Sequence, residues 1–380
     1  RYADALAAAQ AATASPESAI HLDAQLLIGE SQLQLKRYPE AQAAYEAVLQ
    51  APTSPLTPDA LYGLGWVHLR QQQPEAAARA FRRLLDDFPT HSLLSSATYY
   101  LAHTLADLDR APEVRALLAT YDSAYPQSPL LADALYLRGW SELTTDQPQA
   151  AAQSFERFLA LAPAHALAPQ ARLQLADALL RQGKQPEGLQ ALDTLLGASA
   201  TTAERLWNIS LLAQRFTAPT QAQQAWQRLT REFPASPLAA QASLELARVA
   251  FAEQRYADAL AAAQAATASP ESEVRLEAQL LIGESQLRRE QYTAALEAFQ
   301  RALDETPTDH PFRYRTLAGL GLTHEHLRQW TEAIESYRLV ATGTDEALKE
   351  WAAERLNALK DRSSPAPRKT RPGNDEPRKE

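Results

Sequence analysis

The chain has no cysteine and no methionine, and only 12 glycines in 380 residues. Without cysteine there are no disulfides and no thiolate metal sites, although the compartment stays open. Few glycines beside long runs of alanine, leucine, glutamine, glutamate and arginine favour helix almost throughout. No apolar run approaches the ~18 residues of a membrane span. Lysine and arginine number 37 against 46 aspartates and glutamates, for a net charge of −9. With no basic stripe to neutralise phosphates, a nucleic-acid partner is not expected. There is no glycine-rich phosphate loop, no nucleophile elbow and no HExxH pair. Acidic pairs such as Asp86 and Asp87 fall at solvated helix ends. An active site needs convergent polar groups on rigid elements. The sequence offers none, so we expect no catalysis, no metal and no cofactor.

What the chain does have is a copy of itself. RYADALAAAQAATASPES stands at 1–18 and again at 255–272, and AQLLIGESQL at 24–33 returns at 278–287, with one offset of 254 residues. A fixed internal offset is read before anything else, because it sets the architecture. One small residue on each expected first helix marks the register: Gly29, Gly65, Ala102, Gly139, Ala176, Ser210, Ala247, Gly283 and Gly321. The steps are 36, 37, 37, 37, 34, 37, 36 and 38, and the first seven add up to the offset of 254. Nine units in register override the two or three compact domains that this length would otherwise imply.

Each unit reads as two helices. The first carries apolar residues four before, one before and three after its small residue, one stripe of a 3.6-residue helix. A tight turn follows, often with proline opening the second helix: Pro74, Pro148, Pro219. Proline is tolerated there because that N–H has no helical partner. The second helix carries residues such as Ala77, Phe81 and Leu84 and stops near Pro89, Pro126, Pro163, Pro234 or Pro307. Residues 1–18 read as the second helix of an interrupted unit, nine units occupy about 19–345, and 346–360 form a last amphipathic helix. The start in mid-unit leads us to expect a missing N-terminal part. Residues 361–380, with four prolines, ten charges and no large apolar side chain, are expected to be disordered and to end the array.

The unit ALYGLG at 60–65, PEAA at 74–77, then Phe81, Leu84 and Pro89 resembles the tetratricopeptide repeat (TPR) family, as does LAGLG at 317–321 with WTEA at 330–333 and Tyr337. The resemblance spans about 1–360. It departs from the pattern at Ser210, at Gly188, where proline is missing near Gly197, and in its unit length. It implies an all-α fold: a right-handed α-α superhelix, a TPR solenoid of about nine helix-turn-helix repeats, preceded by an N-terminal half repeat and closed by a C-terminal capping helix. The connectors FPTHS at 88–92, YPQSPL at 125–130 and FPASPL at 233–238 are similar to those of bacterial cell-envelope TPR proteins, including outer-membrane assembly lipoproteins and Tol–Pal-associated factors. A periplasmic or outer-membrane-associated location follows from that likeness.

A second stripe runs along the first helices, three before and one after the small residue: Tyr62 and Trp66, Tyr99 and His103, Tyr136 and Trp140, extended by Trp207. Residues four apart share a helix face. By the resemblance, first helices line the concave side, so these rings would form a ladder in the groove, suited to a peptide or partner helix. The alternative is packing between neighbouring first helices, with polar tips left wet. Arg70, Arg181, Arg215 and Arg288 end their helices five residues after the small one, with Arg248 nearby. They would meet a partner's carboxylates, or else favour the helix dipole and solubility. The lysines and asparagines of the family's chaperone-tail clamp are nearly absent from the first helices, so that ligand is not expected. His324 and His326 lie two apart and face different ways. We therefore expect a non-enzymatic scaffold for a protein or peptide partner in envelope assembly. The alternatives are a structural part of a polysaccharide-export or secretion complex, and the helical part of an envelope hydrolase whose catalytic domain is missing.

Overall fold

The repeating device of the fold is a turn. Seven residues after each marker residue the backbone turns left-handed, at Lys36, Gln72, Asp109, Asp146, Gly183, Thr217, Gln254, Glu290 and Arg328, with φ between 52° and 77°. One residue later the N–H reaches back to the carbonyl three after the marker, as in Arg37 to Gln32, Gln73 to His68 and Gln291 to Gln286, at 2.8–2.9 Å. This is the six-to-one closure that satisfies the last carbonyls of a helix. Every one of these first helices is stopped in the same way.

The computed structural model describes residues 1–360 except 15–16, 52–53 and 309, and the charged, proline-rich tail expected at 361–380 lies outside the described residues. In chain order the helices are α1 (Tyr2–Ala12), α2 (Ser18–Gln34), α3 (Tyr38–Leu49), α4 (Thr57–Arg70), α5 (Pro74–Asp87), α6 (Leu94–Asp107), α7 (Ala111–Leu118), α8 (Tyr121–Ala124), α9 (Leu131–Thr144), α10 (Pro148–Leu161) and α11 (Ala168–Arg181). They continue with α12 (Gln185–Gly197), α13 (Ala203–Arg215), α14 (Pro219–Glu232), α15 (Pro237–Ala252), α16 (Tyr256–Ala266), α17 (Ser272–Arg288), α18 (Tyr292–Glu305), α19 (Pro311–His326), α20 (Trp330–Val340) and α21 (Glu346–Leu359). Strands are absent among the described residues. No helix among them is long and apolar enough to cross a membrane.

The helices gather into two compact units, Arg1–Gly197 and Ala198–Glu380. Within each, consecutive helices pack antiparallel as hairpins, and first helices also touch the next first helix: α2 on α4 and α9 on α11 in the first unit, α15 on α17 and α17 on α19 in the second. This is the all-α solenoid packing expected of the sequence. In the second unit α21 lies on α20 and α19, burying Ala352 and Leu359.

The core follows a size rule. Sixteen residues after each marker stands a buried residue of the second helix. After the five glycine markers it is Tyr45, Phe81, Phe155, Phe299 and Tyr337. A Cβ built on any of these glycines would fall 2.3–2.9 Å from that ring. After Ala102, Ala176 and Ala247 the position holds Leu118, Leu192 and Ala263, and after Ser210 it holds Trp226. Glycine is used at five of the six markers that face a ring and alanine where the partner is smaller, with Ser210 opposite Trp226 the exception.

One second helix is broken. After Leu118 the chain restarts at Tyr121, whose buried hydroxyl donates to the Ser95 carbonyl at 3.0 Å and lies 3.0 Å from Ser128 Oγ. The short α8 is pinned sideways by that bond.

Candidate functional site

The first unit holds an open groove. It measures about 880 Å³ and is lined by Glu30, Tyr45, Asp59, Tyr62, Trp66 and Arg70 among others. Its floor is set by the size rule. Tyr45 lies between Gly29 of α2 and Gly63 of α4, so two first helices approach over one ring. Tyr62 and Trp66, one turn apart on α4, stand along the wall.

The rings form a connected run. Tyr62 and Trp66 meet edge to face at 6.4 Å, Trp66 and Tyr100 at 4.5 Å, Tyr100 and Tyr99 at 5.1 Å, and Tyr99 and His103 at 6.2 Å. Tyr62 also touches Phe81 at 5.8 Å. All four of Tyr62, Trp66, Tyr99 and Tyr100 are half-buried against the core, which leaves an edge of each in solvent. Burial, with the nearby Asp133 charge, pushes the Tyr99 hydroxyl up to about 12. It is therefore a neutral donor and acceptor at any physiological pH. His103 is exposed, with its Nδ1 3.3 Å from Asp107.

Not all the rings read from the sequence join this run. Tyr136 turns to the second helix of its own repeat, 5.9 Å from Phe155 and 5.7 Å from Phe158. Trp140 lines a separate cavity of about 300 Å³ with Asp177 and Arg181. Trp207 is half-buried on α13, in the second unit. Tyr100, two before its marker, is the ring that links α4 to α6; the two stripes read from the sequence both passed it by.

The arginines divide similarly. Arg70 extends from the groove over the Trp66 ring, 5.7 Å from its centre. Arg181 already holds a carboxylate of this chain: its Nε and Nη2 donate to Asp177 at 2.9 and 3.0 Å, and its Nη1 to the Leu143 carbonyl. Arg248 is shared between Glu245 and Glu277, at 2.6 and 2.5 Å. Arg215 lies over Phe216 at 5.4 Å. Of the two nearby histidines, His324 Nδ1 is 2.7 Å from Gln329 Oε1, while His326 stacks on Tyr292 at 4.5 Å. Among the described residues no three His, Asp or Glu side chains converge as metal ligands.

A buried charged cluster in the first unit is closed on itself. Arg138 donates to Asp122 and Ser154 at 3.0 Å each, and Ser154 Oγ donates to Glu142 at 2.6 Å. Burial raises the Glu142 carboxyl, and the Ser154 hydrogen bond and the Arg138 charge partly offset it. Every member has its partner inside α8, α9 and α10, so the cluster fastens helices and presents nothing to a ligand.

The tetratricopeptide repeat profile matches residues 1–55, 26–92, 62–132, 136–203, 209–273 and 280–347. No curated protein matches the chain. Among solved structures, the chain is similar to PilF of Pseudomonas aeruginosa, at 21% identity over 59% of this chain and 97% of that one, with a TM-score of 0.41. It is also similar to PilW, titled a widely conserved type IV pilus biogenesis factor, at 19% identity over 57% and 96%, TM-score 0.43. A tetratricopeptide repeat protein from Parabacteroides merdae aligns at 16% identity over 80% and 98%, TM-score 0.40.

Proposed function

Because the chain belongs to the tetratricopeptide repeat family, we propose that it is a non-enzymatic scaffold that takes a peptide or protein partner on its first helices. The docking strip is the ring run Tyr62, Trp66, Tyr100 and Tyr99, together with the groove it borders. The observation that supports this reading is the half-burial of these rings: each is held rigid by the core and keeps an edge free. Rigid aromatic surface gives large contact area with few rotors to freeze, which is how hot spots are built. Arg181 and Arg248, already paired, contribute less than Arg70. The array 1–360 acts as the binding body. We place it in the bacterial cell envelope, on the likeness of its FPTHS, YPQSPL and FPASPL connectors to those of envelope proteins of this family.

The test is capture of partners from a bacterial envelope fraction, with a Tyr62→Ala, Trp66→Ala, Tyr99→Ala variant beside the native chain. Circular dichroism and a thermal melt check that the variant folds, and a milder Trp66→Gln variant covers the case where it does not. We expect the captured partner to be lost, by at least about tenfold in affinity. A partner kept in full by a folded variant would move the site to the second helices or the connectors. Recovery of partners from cytosolic fractions alone would overturn the envelope placement.

A further inference from the structure

The internal duplication shows one glutamate twice, with two different neighbours. Glu30 on α2 and Glu284 on α17 each follow their marker glycine by one residue. Each stands beside a groove floored by the ring sixteen after the marker, Tyr45 or Phe299. That ring lies between the marker and a glycine of the next first helix: Gly29 and Gly63 around Tyr45, Gly283 and Gly319 around Phe299. The two grooves therefore share a plan.

They differ at the slot six residues before the next marker. In the second unit this slot holds Arg315, and its Nη2 donates to Glu284 Oε1 at 3.0 Å. In the first unit it holds Asp59, a second carboxylate. Glu30 and Asp59 form no ion pair with any described residue. Glu30 stands exposed at the edge of the groove; partial desolvation there raises its carboxyl, and Asp59 raises it further. Two cations also line the groove, Lys36 and Arg70; neither is paired with these carboxylates, and Arg70 is spread over Trp66. The floor adds a third feature. The Tyr45 side chain is 2% exposed and lines the groove, and its hydroxyl has no hydrogen-bond partner. The oxygen is not sealed in the core but is reached from the groove, where an incoming donor can meet it.

We propose that the first unit's groove receives an arginine side chain of a peptide partner, its guanidinium held between Glu30 and Asp59. The guanidinium takes the place that Arg315 fills within the second unit. Its N–H groups donate to the two carboxylates and to the Tyr45 hydroxyl oxygen, and its flat face lies against Tyr62 and Trp66, as cations on aromatic rings do. This deepens the scaffold reading and rests on it: the ring run gives contact area, and the carboxylate pair selects a basic residue.

The probes are two blocked peptides, acetyl-Gly-Ala-Arg-Ala-Gly-amide and the same peptide with citrulline, which keeps the shape and loses the charge. Binding to the full chain is read from the Trp66 indole N–H signal in NMR, assigned with Trp66→Phe. We expect a saturable shift with the arginine peptide at millimolar concentration, and binding weaker by about tenfold or more with citrulline. Asp59→Arg copies the second unit's solution; it should abolish the shift while leaving the melting temperature equal or higher. No shift with the arginine peptide, equal binding of citrulline, or undiminished binding to Asp59→Arg would each overturn the proposal. If these fail while the triple aromatic variant still loses its envelope partner, the cation pocket falls and the scaffold reading stands.

Discussion

Leu27 and Leu281 occupy the same place in two copies of one sequence, yet Leu27 is 40% exposed and Leu281 only 6%. Ile20 and Val274 differ in the same direction, as do Tyr2, at 54% exposure, and Tyr256, which lies edge-on to Phe251 at 5.4 Å. The second copy has α15 packed on its near side; the first has no described helix there. What buries a residue in this chain is thus the neighbouring repeat, and a helix hairpin carries only half of its own core. The copies agree where they pack inward, at Gly29–Tyr45–Gly63 and Gly283–Phe299–Gly319. They diverge where they line the groove: Asp59, Tyr62 and Trp66 in one, Arg315, Ala318 and Leu322 in the other. Packing register is kept through the duplication while the groove lining changes, as expected if packing and recognition are carried by different stripes of the same helix.

The inward agreement can be broken most strongly at the marker glycines. A Cβ at Gly29 would lie 2.7 Å from the Tyr45 ring, and one at Gly283 2.6 Å from Phe299. Neither ring can retreat, because a Cβ at Gly63 or Gly319 on the far side would already be 2.4 Å away. Gly29→Ala and Gly283→Ala should each cost about 1–3 kcal/mol through overpacking, seen as a lower midpoint in calorimetric or denaturant unfolding. Adding Phe299→Leu to Gly283→Ala rebuilds the alanine and leucine found at Ala102 and Leu118. The double variant should lose less than the sum of the two single losses. Plain additivity, or a neutral Gly283→Ala, would sink the size rule.

The period of the array and its helix pairs could be read from the sequence because each unit repeats one apolar stripe and one small residue. The size rule was written there too, in the constant spacing of sixteen, but its meaning depends on which ring crosses which backbone. The acidic slot was hidden for a different reason. Glu30 and Asp59 belong to adjacent repeats, and their meeting is set by the angle between α2 and α4, which no single helix encodes. Arg181 and Arg248 were read as candidates for a partner, although Asp177 four residues away and Glu245 three away are in reach of them on the same helix. The turns gave almost no local signal. Gly183 is the one glycine among nine left-handed positions, and lysine, glutamine, aspartate, threonine, glutamate and arginine hold the others.

The outward divergence is tested by removing Arg315. Glu284 is raised by burial, and Arg315 lowers it without fully offsetting that burial. A carboxyl raised in the folded chain binds its proton more tightly there than when unfolded. Its contribution to stability therefore falls as pH rises from the ordinary glutamate value through the folded one, and is absent below both. Arg315→Gln removes the offset and deepens that loss. The pair is partly exposed, so a few tenths to about 1 kcal/mol is expected at neutral pH. The gap from the native chain should narrow toward pH values below the ordinary glutamate range. The matching Glu30→Gln change in the first unit should be neutral or stabilising at neutral pH, since it relieves the repulsion with Asp59. Equal destabilisation by Glu30→Gln and Arg315→Gln would mean that the two slots do not differ as their charges imply.

A comparably small effect sharpens the comparison by finding where the copies must agree. Lys36 and Glu290 hold the left-handed turn position in the two copies, at φ of 60° and 59°. A side chain there costs roughly 1–2 kcal/mol against the right-handed region, while glycine gives back roughly 0.5–1 kcal/mol through its freer unfolded state. Lys36→Gly and Glu290→Gly should therefore each stabilise by about 0.5–1 kcal/mol, read as a small rise in melting temperature. Neither side chain is buried, so the gain comes from the backbone alone and should be the same in both copies. A gain in one copy only would show that the neighbouring repeat reaches into the turn, and that the turn is not the self-contained joint its hydrogen bonds describe.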